Sequence, residues 1–372
     1  MGQNKPIIKE RESGIELLRI ILMLQVIFLH VSNFGEFAAI NRDWGGLHEL
    51  VYWVNQTLCR CPVYVFMLIS GYFSVTSKTT MSTVWKKAGS VYLPMIFYSL
   101  AITFVLGLTG IVNLGNDDII KSFFPLTSGT WYFMSVYLLV FILSPVVNGA
   151  LTKLSKRDFQ ILLAVLFVLF SVWQVISEVE PFDRFVRTTS IIETTKGRGL
   201  DGFLFMYIIG AYLRLHKPRE EKIAWKYLFF YVGFAVLDIV FVYATKGVPV
   251  LENFAKIVNY NNAPVAIIQG VCLLLFFITL TFKSKIINKI STHNLGVYMV
   301  HEHWMMRKVI WDKIFVATQS RAFYMSPVYM VKIYAIILII YVSCWIIDFL
   351  RAKLFDLVKN ISGKLSQKNK QA

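Results

Sequence analysis

Gly14–Asn33 reads GIELLRIILMLQVIFLHVSN, an apolar run matching the about 20 residues that a membrane-spanning helix needs. Three ionisable residues interrupt it: Glu16, Arg19 and His30. On a helix turning about 100° per residue, Arg19 and His30 fall within roughly 20° of one line and about 16 Å apart along the axis. An ionisable group inside a spanning helix is costly and is read first as functional. Each also has a plainer alternative. Glu16 and Arg19, at i and i+3, can pair while the arginine reaches toward the headgroups. His30 can be a polar contact hydrogen-bonded to a neighbouring helix.

The composition agrees with a membrane. Of 372 residues, 56% are hydrophobic, 15% aromatic and only 16% charged, where a soluble chain has about 25% charged. Mean hydropathy is +0.58. A formal charge of +16 would suit nucleic acid, but the basic residues sit in short segments between apolar runs. That is a topology signal, and no nucleic-acid partner is expected. Cys59, Cys61, Cys272 and Cys344 form neither a zinc pattern nor a disulfide framework and read as small buried residues.

Apolar runs centred near Leu24, Leu68, Ala101, Leu139, Leu166, Ile208, Val236, Leu273, Val300 and Ile339 predict an all-α, polytopic integral membrane bundle of about ten transmembrane helices. The second and ninth are the weakest, because Pro62 and Gly71 bracket one while His301, Glu302 and His303 lie in the other. Lys and Arg crowd alternate segments: Lys5, Lys9 and Arg11, then Lys86 and Lys87, then Lys153, Lys156 and Arg157, and so on to the tail after Arg351. Acidic residues such as Glu36, Asp43, Asp117 and Asp118 fall in the other set. The bias places both the N- and C-termini in the cytoplasm. The chain reads as one membrane domain over 1–372, with a cytoplasmic N-terminus at 1–13. A basic cytoplasmic tail, 352–372, is expected to be frayed and to rest on anionic lipid. The segment Ser177–Leu200 has room for a short structured excursion.

Two further stretches carry candidate chemistry. Arg60–Phe73, RCPVYVFMLISGYF, opens on a charge and closes on Ser70, Gly71 and Tyr72. Gly71 permits a break or a close helix contact, and the flanking hydroxyls can line a pocket or simply pack. His301, Glu302 and His303 are consecutive. On a helix the two histidines point about 200° apart, so a shared zinc is not expected and no metal ligand is assigned. Glu302 is a candidate partner for a buried His or Arg. His48, His216 and His293 receive no role.

Together these motifs resemble those of the acyltransferase type 3 family of integral membrane acyltransferases. The resemblance begins with Glu16, Arg19 and His30 in their spacing and continues with RCPVYVFMLISGYF. It extends to WYFMSVYLLVFILSP (Trp131–Pro145), FLFMYIIGAYL (Phe203–Leu213) and STHNLGVYMVH (Ser291–His301), in that order. It implies transfer of an acyl group, by default acetyl, from cytosolic acyl-CoA to a hydroxyl of a bacterial surface polysaccharide or its lipid-linked precursor. His30 would then be the catalytic histidine, as base or acyl carrier, with Arg19 engaging the donor beside Glu16. Arg60, Ser70, Gly71, Tyr72, Lys86, Lys87, Trp131, Tyr132, His301 and Glu302 would form the substrate- and donor-binding set. Two positions depart from the family's pattern: Tyr64 stands where relatives often have Pro, and Ser90 where they often have a basic residue.

The expectation is therefore a multi-pass O-acetyltransferase of the cytoplasmic membrane. It would bind no permanent cofactor, use acetyl-CoA as co-substrate, and have a glycan or lipid-linked sugar and the bilayer as partners. Neutral imidazole suits such chemistry, since it can take a proton from a hydroxyl or carry an acyl group near neutral pH. The competing expectation is a transporter or flippase for a polar or lipid-linked solute, which buried Arg and His would also suit. Matching broken helices in two halves, common in transporters, are not evident.

Overall fold

The computed structural model describes residues 12–35, 46–77, 80–179, 197–258, 260–317 and 320–369. The described residues are helical, with no strand among them. In chain order the helices are α1 (Ser13–Phe34), α2 (Leu47–Cys59), α3 (Pro62–Ser74), α4 (Met81–Leu108), α5 (Asn116–Phe123) and α6 (Tyr132–Leu151). Next come α7 (Lys156–Ser177, with a π-turn at Val168–Val172), α8 (Leu200–His216), α9 (Trp225–Ala244) and α10 (Pro249–Val258). The last are α11 (Pro264–Ile278), α12 (Lys285–Ser291), α13 (Asn294–His301), α14 (Trp304–Lys308), α15 (Arg321–Tyr324) and α16 (Val328–Asn369).

Seven described stretches are long and apolar enough to cross a membrane: α1, α2 joined to α3, α4, α6, α7, α9 and the first part of α16. The apolar runs near Ile208 and Leu273 form the shorter α8 and α11. The run near Val300 breaks into α13 and α14. Residues 352–369 are helical rather than frayed, as a continuation of α16. Leu354, Leu357, Val358 and Ile361 keep helical spacing past the last charge of the span. Most of the proposed excursion between Ser177 and Leu200 lies outside the described residues.

The chain divides into two compact units. The first comprises Met1–Leu22, Arg60–Ser77 and Asn148–Thr292. Its tightest joint is α3 against α8. A Cβ on Gly71 would overlap the Tyr207 carbonyl oxygen, and one on Gly210 would sit 2.2 Å from the Leu68 carbonyl oxygen. Where solvent offers no hydrophobic driving force between helices, such small-residue contacts let backbones approach and dispersion hold them. Polar ties add to this: Tyr207 Oη donates to Asn148 Oδ1 at 2.9 Å, and Asn148 Nδ2 donates to the Ser74 carbonyl at 3.2 Å. Buried Arg60 pairs with Asp238 of α9. At the start of α1, Ser13 Oγ donates to Asn288 Oδ1 at 2.9 Å and accepts from the Ser284 amide at 2.7 Å.

The second unit comprises Met23–Cys59, Lys78–Val147 and His293–Ala372. Asp348 of α16 is its polar centre. Its carboxylate accepts from Tyr98 Oη at 2.7 Å and Arg351 Nε at 2.8 Å, and meets His293 Nδ1 at 2.6 Å. Gly296 makes this docking possible, because a Cβ there would sit 2.1 Å from the Asp348 carboxylate. The result fastens α4 and α13 to α16, and Tyr341 Oη adds a hydrogen bond to Asn294 Oδ1 at 2.7 Å.

Candidate active site

His30 lies near the end of α1, in the second unit. α13 ends at His301, Glu302 occupies a turn, and His303 caps α14 by accepting the Met305 amide on Nδ1 at 3.3 Å. Glu302 keeps helical backbone, its amide donating to the Tyr298 carbonyl at 3.1 Å, and the chain turns away only at His303. His301 and Glu302 both meet His30. His303 instead packs its ring 5.6 Å from that of Trp131.

The proton positions follow from the acceptors. A carbonyl only accepts, so the 2.6 Å contact between His301 Nδ1 and the Val297 oxygen fixes the proton on Nδ1. His301 Nε2 then carries a lone pair. His30 Nδ1 lies 3.0 Å from that nitrogen and donates its proton there, while Glu302 Oε2 stands 3.1 Å away as an ion-pair contact without hydrogen-bond alignment. In the neutral ring this leaves the lone pair on Nε2, and the side chain is 13% exposed. Ligand atoms of the same three residues lie within 4.8 Å of one another. The 3.0 Å His–His separation is that of an N–H···N bond. The cluster reads as a hydrogen-bonded acid–base relay.

Glu302 Oε1 faces Arg307 Nη1 at 3.5 Å, and the Arg307 guanidinium lies 4.9 Å above the Phe34 ring. Trp131 is fully buried and donates from Nε1 to the Met299 carbonyl at 3.1 Å, bracing the segment just before His301. Tyr132 begins α6 beside it, partly exposed.

The remaining candidates are distributed elsewhere. In the first unit, Glu16 is buried and accepts from Arg19 Nη1 and from Ser291 Oγ, each at 2.5 Å. Arg19 keeps 32% of its side chain exposed. Arg60 meets Asp238. Ser70 Oγ donates to the Phe66 carbonyl at 2.9 Å, Gly71 faces the Tyr207 backbone, and the Arg214 guanidinium covers the Tyr72 ring at 5.2 Å. In the second unit, Lys86 and Lys87 are exposed on the first turns of α4.

Sequence reasoning passed over Arg307, Ser291, Asp238 and Asp348 as functional or structural partners. Asp238 and Asp348 carried the signal that exposed Glu16, an acid inside an apolar run. Arg307 carried none, because it appears as one more basic residue of a loop.

Residues 12–348 match the family model described as an acyltransferase domain. No curated protein and no solved structure matches the chain.

Proposed function

Since the chain belongs to the acyltransferase type 3 family and is a multi-pass membrane acyltransferase, we propose that it moves acetyl from acetyl-CoA to a sugar hydroxyl. The acceptor in this reading is a bacterial surface polysaccharide or its lipid-linked precursor, handled at the cytoplasmic membrane by a bundle of about ten spans with both termini inside. One observation carries the chemical part: His30 holds its proton on Nδ1 between His301 and Glu302, which leaves Nε2 basic.

The steps follow. His30 Nε2 accepts the acceptor's hydroxyl proton as that oxygen attacks the thioester carbonyl. The imidazolium so formed is stabilised by the Glu302 carboxylate on Nδ1–H. The tetrahedral centre collapses, the C–S bond breaks, and the proton on Nε2 passes to the departing CoA sulfur. An acyl-carrying His30 would use the same lone pair, with attack on the thioester preceding attack by the hydroxyl. Arg19, aimed by Glu16, holds the donor, and the basic cytoplasmic segments that include Lys86 and Lys87 attract its phosphates.

The test uses purified full-length protein in lipid nanodiscs, acetyl-CoA and candidate glycans, with CoA release and glycan acetylation as readouts. His30→Ala should abolish both while membrane insertion and yield stay normal. Full activity in that variant would overturn the proposal.

A further inference from the structure

Resting on that reading, we infer that Arg307 is a positioning residue: its guanidinium offsets part of the cost of burying the Glu302 carboxylate and holds that carboxylate against His30. The geometry is a closed loop of four side chains. Glu302 directs one oxygen to His30 Nδ1 at 3.1 Å and the other to Arg307 Nη1 at 3.5 Å. Arg307 lies on the Phe34 ring at 4.9 Å, and Phe34 lies 5.9 Å from the His30 ring, one helical turn along α1.

The physical need is clear from exposure. The Glu302 side chain is only 7% exposed, whereas that of Arg307 is 29% exposed. A carboxylate so far from water takes up a proton unless a cation or donors hold it charged. The groups around it are His30 from α1, Tyr298, His301 and His303 from its own segment, and Arg307 from α14. Arg307 alone among these is charged at every working pH. Its neighbour Lys308 does not compete, because its ammonium lies over the Trp304 ring at 5.8 Å. The break between α13 and α14 brings Arg307 back onto Glu302 from five residues further along the chain. A planar guanidinium can stack on Phe34 and donate in its own plane at once, which an ammonium cannot do.

Burial pushes the Glu302 carboxyl up, and the Arg307 charge beside it works in the opposite direction, favouring the carboxylate. Removing that charge therefore moves the acid limb of the activity profile to higher pH.

The experiment compares wild type, Arg307→Met and Arg307→Lys, as full-length protein in nanodiscs, by the pH profile of kcat/KM for acetyl transfer. Infrared spectra across the same pH range follow the protonated-carboxyl stretch, assigned to Glu302 by its loss on adding Glu302→Gln. Arg307→Met should shift the acid limb up by about one unit, a roughly tenfold loss on that limb. Activity at high pH should stay within about threefold, and the Glu302 carboxyl band should persist to higher pH than in wild type. Arg307→Lys should return most of the profile and bring the band back to the wild-type pH range. An unmoved profile with an unmoved band, or equal loss in the Lys and Met variants at every pH, would overturn the inference. A wild type that neither releases CoA nor depends on His30 would defeat the acyl-transfer reading, while the infrared comparison would still decide the role of Arg307.

Discussion

Glu302→Gln is the perturbation whose size follows most directly from the structure. The amide nearly matches the carboxylate in shape, so packing changes little, but the charge beside His30 is lost. Unit charges 3.1 Å apart interact by roughly 5 kcal/mol at an effective dielectric near 20. About half of the proton's charge resides on His30 in the transition state, so about 2–3 kcal/mol of stabilisation disappears, a fall of roughly 30- to 150-fold in kcat/KM. The His30 tautomer should survive, because His301 Nε2 still accepts from Nδ1. The loss should therefore stop short of that for His30→Ala, and Glu302→Gln combined with His301→Phe should come close to it. The assay is thiol release from acetyl-CoA near pH 7.5, in the presence of acceptor. A Glu302→Gln enzyme within threefold of wild type would refute the argument, as would a loss equal to that of His30→Ala.

Four further substitutions have expected outcomes. Asp238→Asn removes the Asp238 charge from the buried ion pair with Arg60 and should cost about 3–5 kcal/mol. The double change Arg60→Met with Asp238→Leu should return most of that stability in a thermal-unfolding series. Gly71→Ala drives a methyl into the Tyr207 backbone and should cost at least about 1–3 kcal/mol, lowering the yield of folded protein. Gly89→Ala meets nothing within 4 Å and should be neutral or slightly stabilising in the same measurement. Ser291→Ala removes the hydroxyl that anchors Glu16, and steady-state kinetics should show KM for acetyl-CoA rising several-fold with kcat little changed.

How much of this was legible beforehand depended on whether the information was local. The apolar run from Gly14 to Asn33 announces a helix because burial and length are properties of a window, and α1 covers it from Ser13 to Phe34. The i, i+3 pairing of Glu16 with Arg19 could be read for the same reason, as could the pressure of Gly71 on a neighbouring helix. The number of helices long enough to span was less legible. A run of apolar residues does not say whether a polar pair such as Glu302–His303 will interrupt it. His301 and Glu302 close α13 and both meet His30, while the break that follows sends His303 to Trp131 and brings Arg307 back onto Glu302.

The amino-acid order alone determined a helical membrane protein, a polar line on its first helix and a family resemblance strong enough to name a reaction class. Those conclusions rest on local spacing and hydrophobicity, which survive any arrangement of the helices. The tertiary structure decided the partners. His30 meets His301 and Glu302 across 271 and 272 positions of chain, and Arg60 meets Asp238 between separate helices. No periodicity encodes such pairings. They arise because a buried charge or ring nitrogen must find a complement wherever packing brings one within about 3 Å.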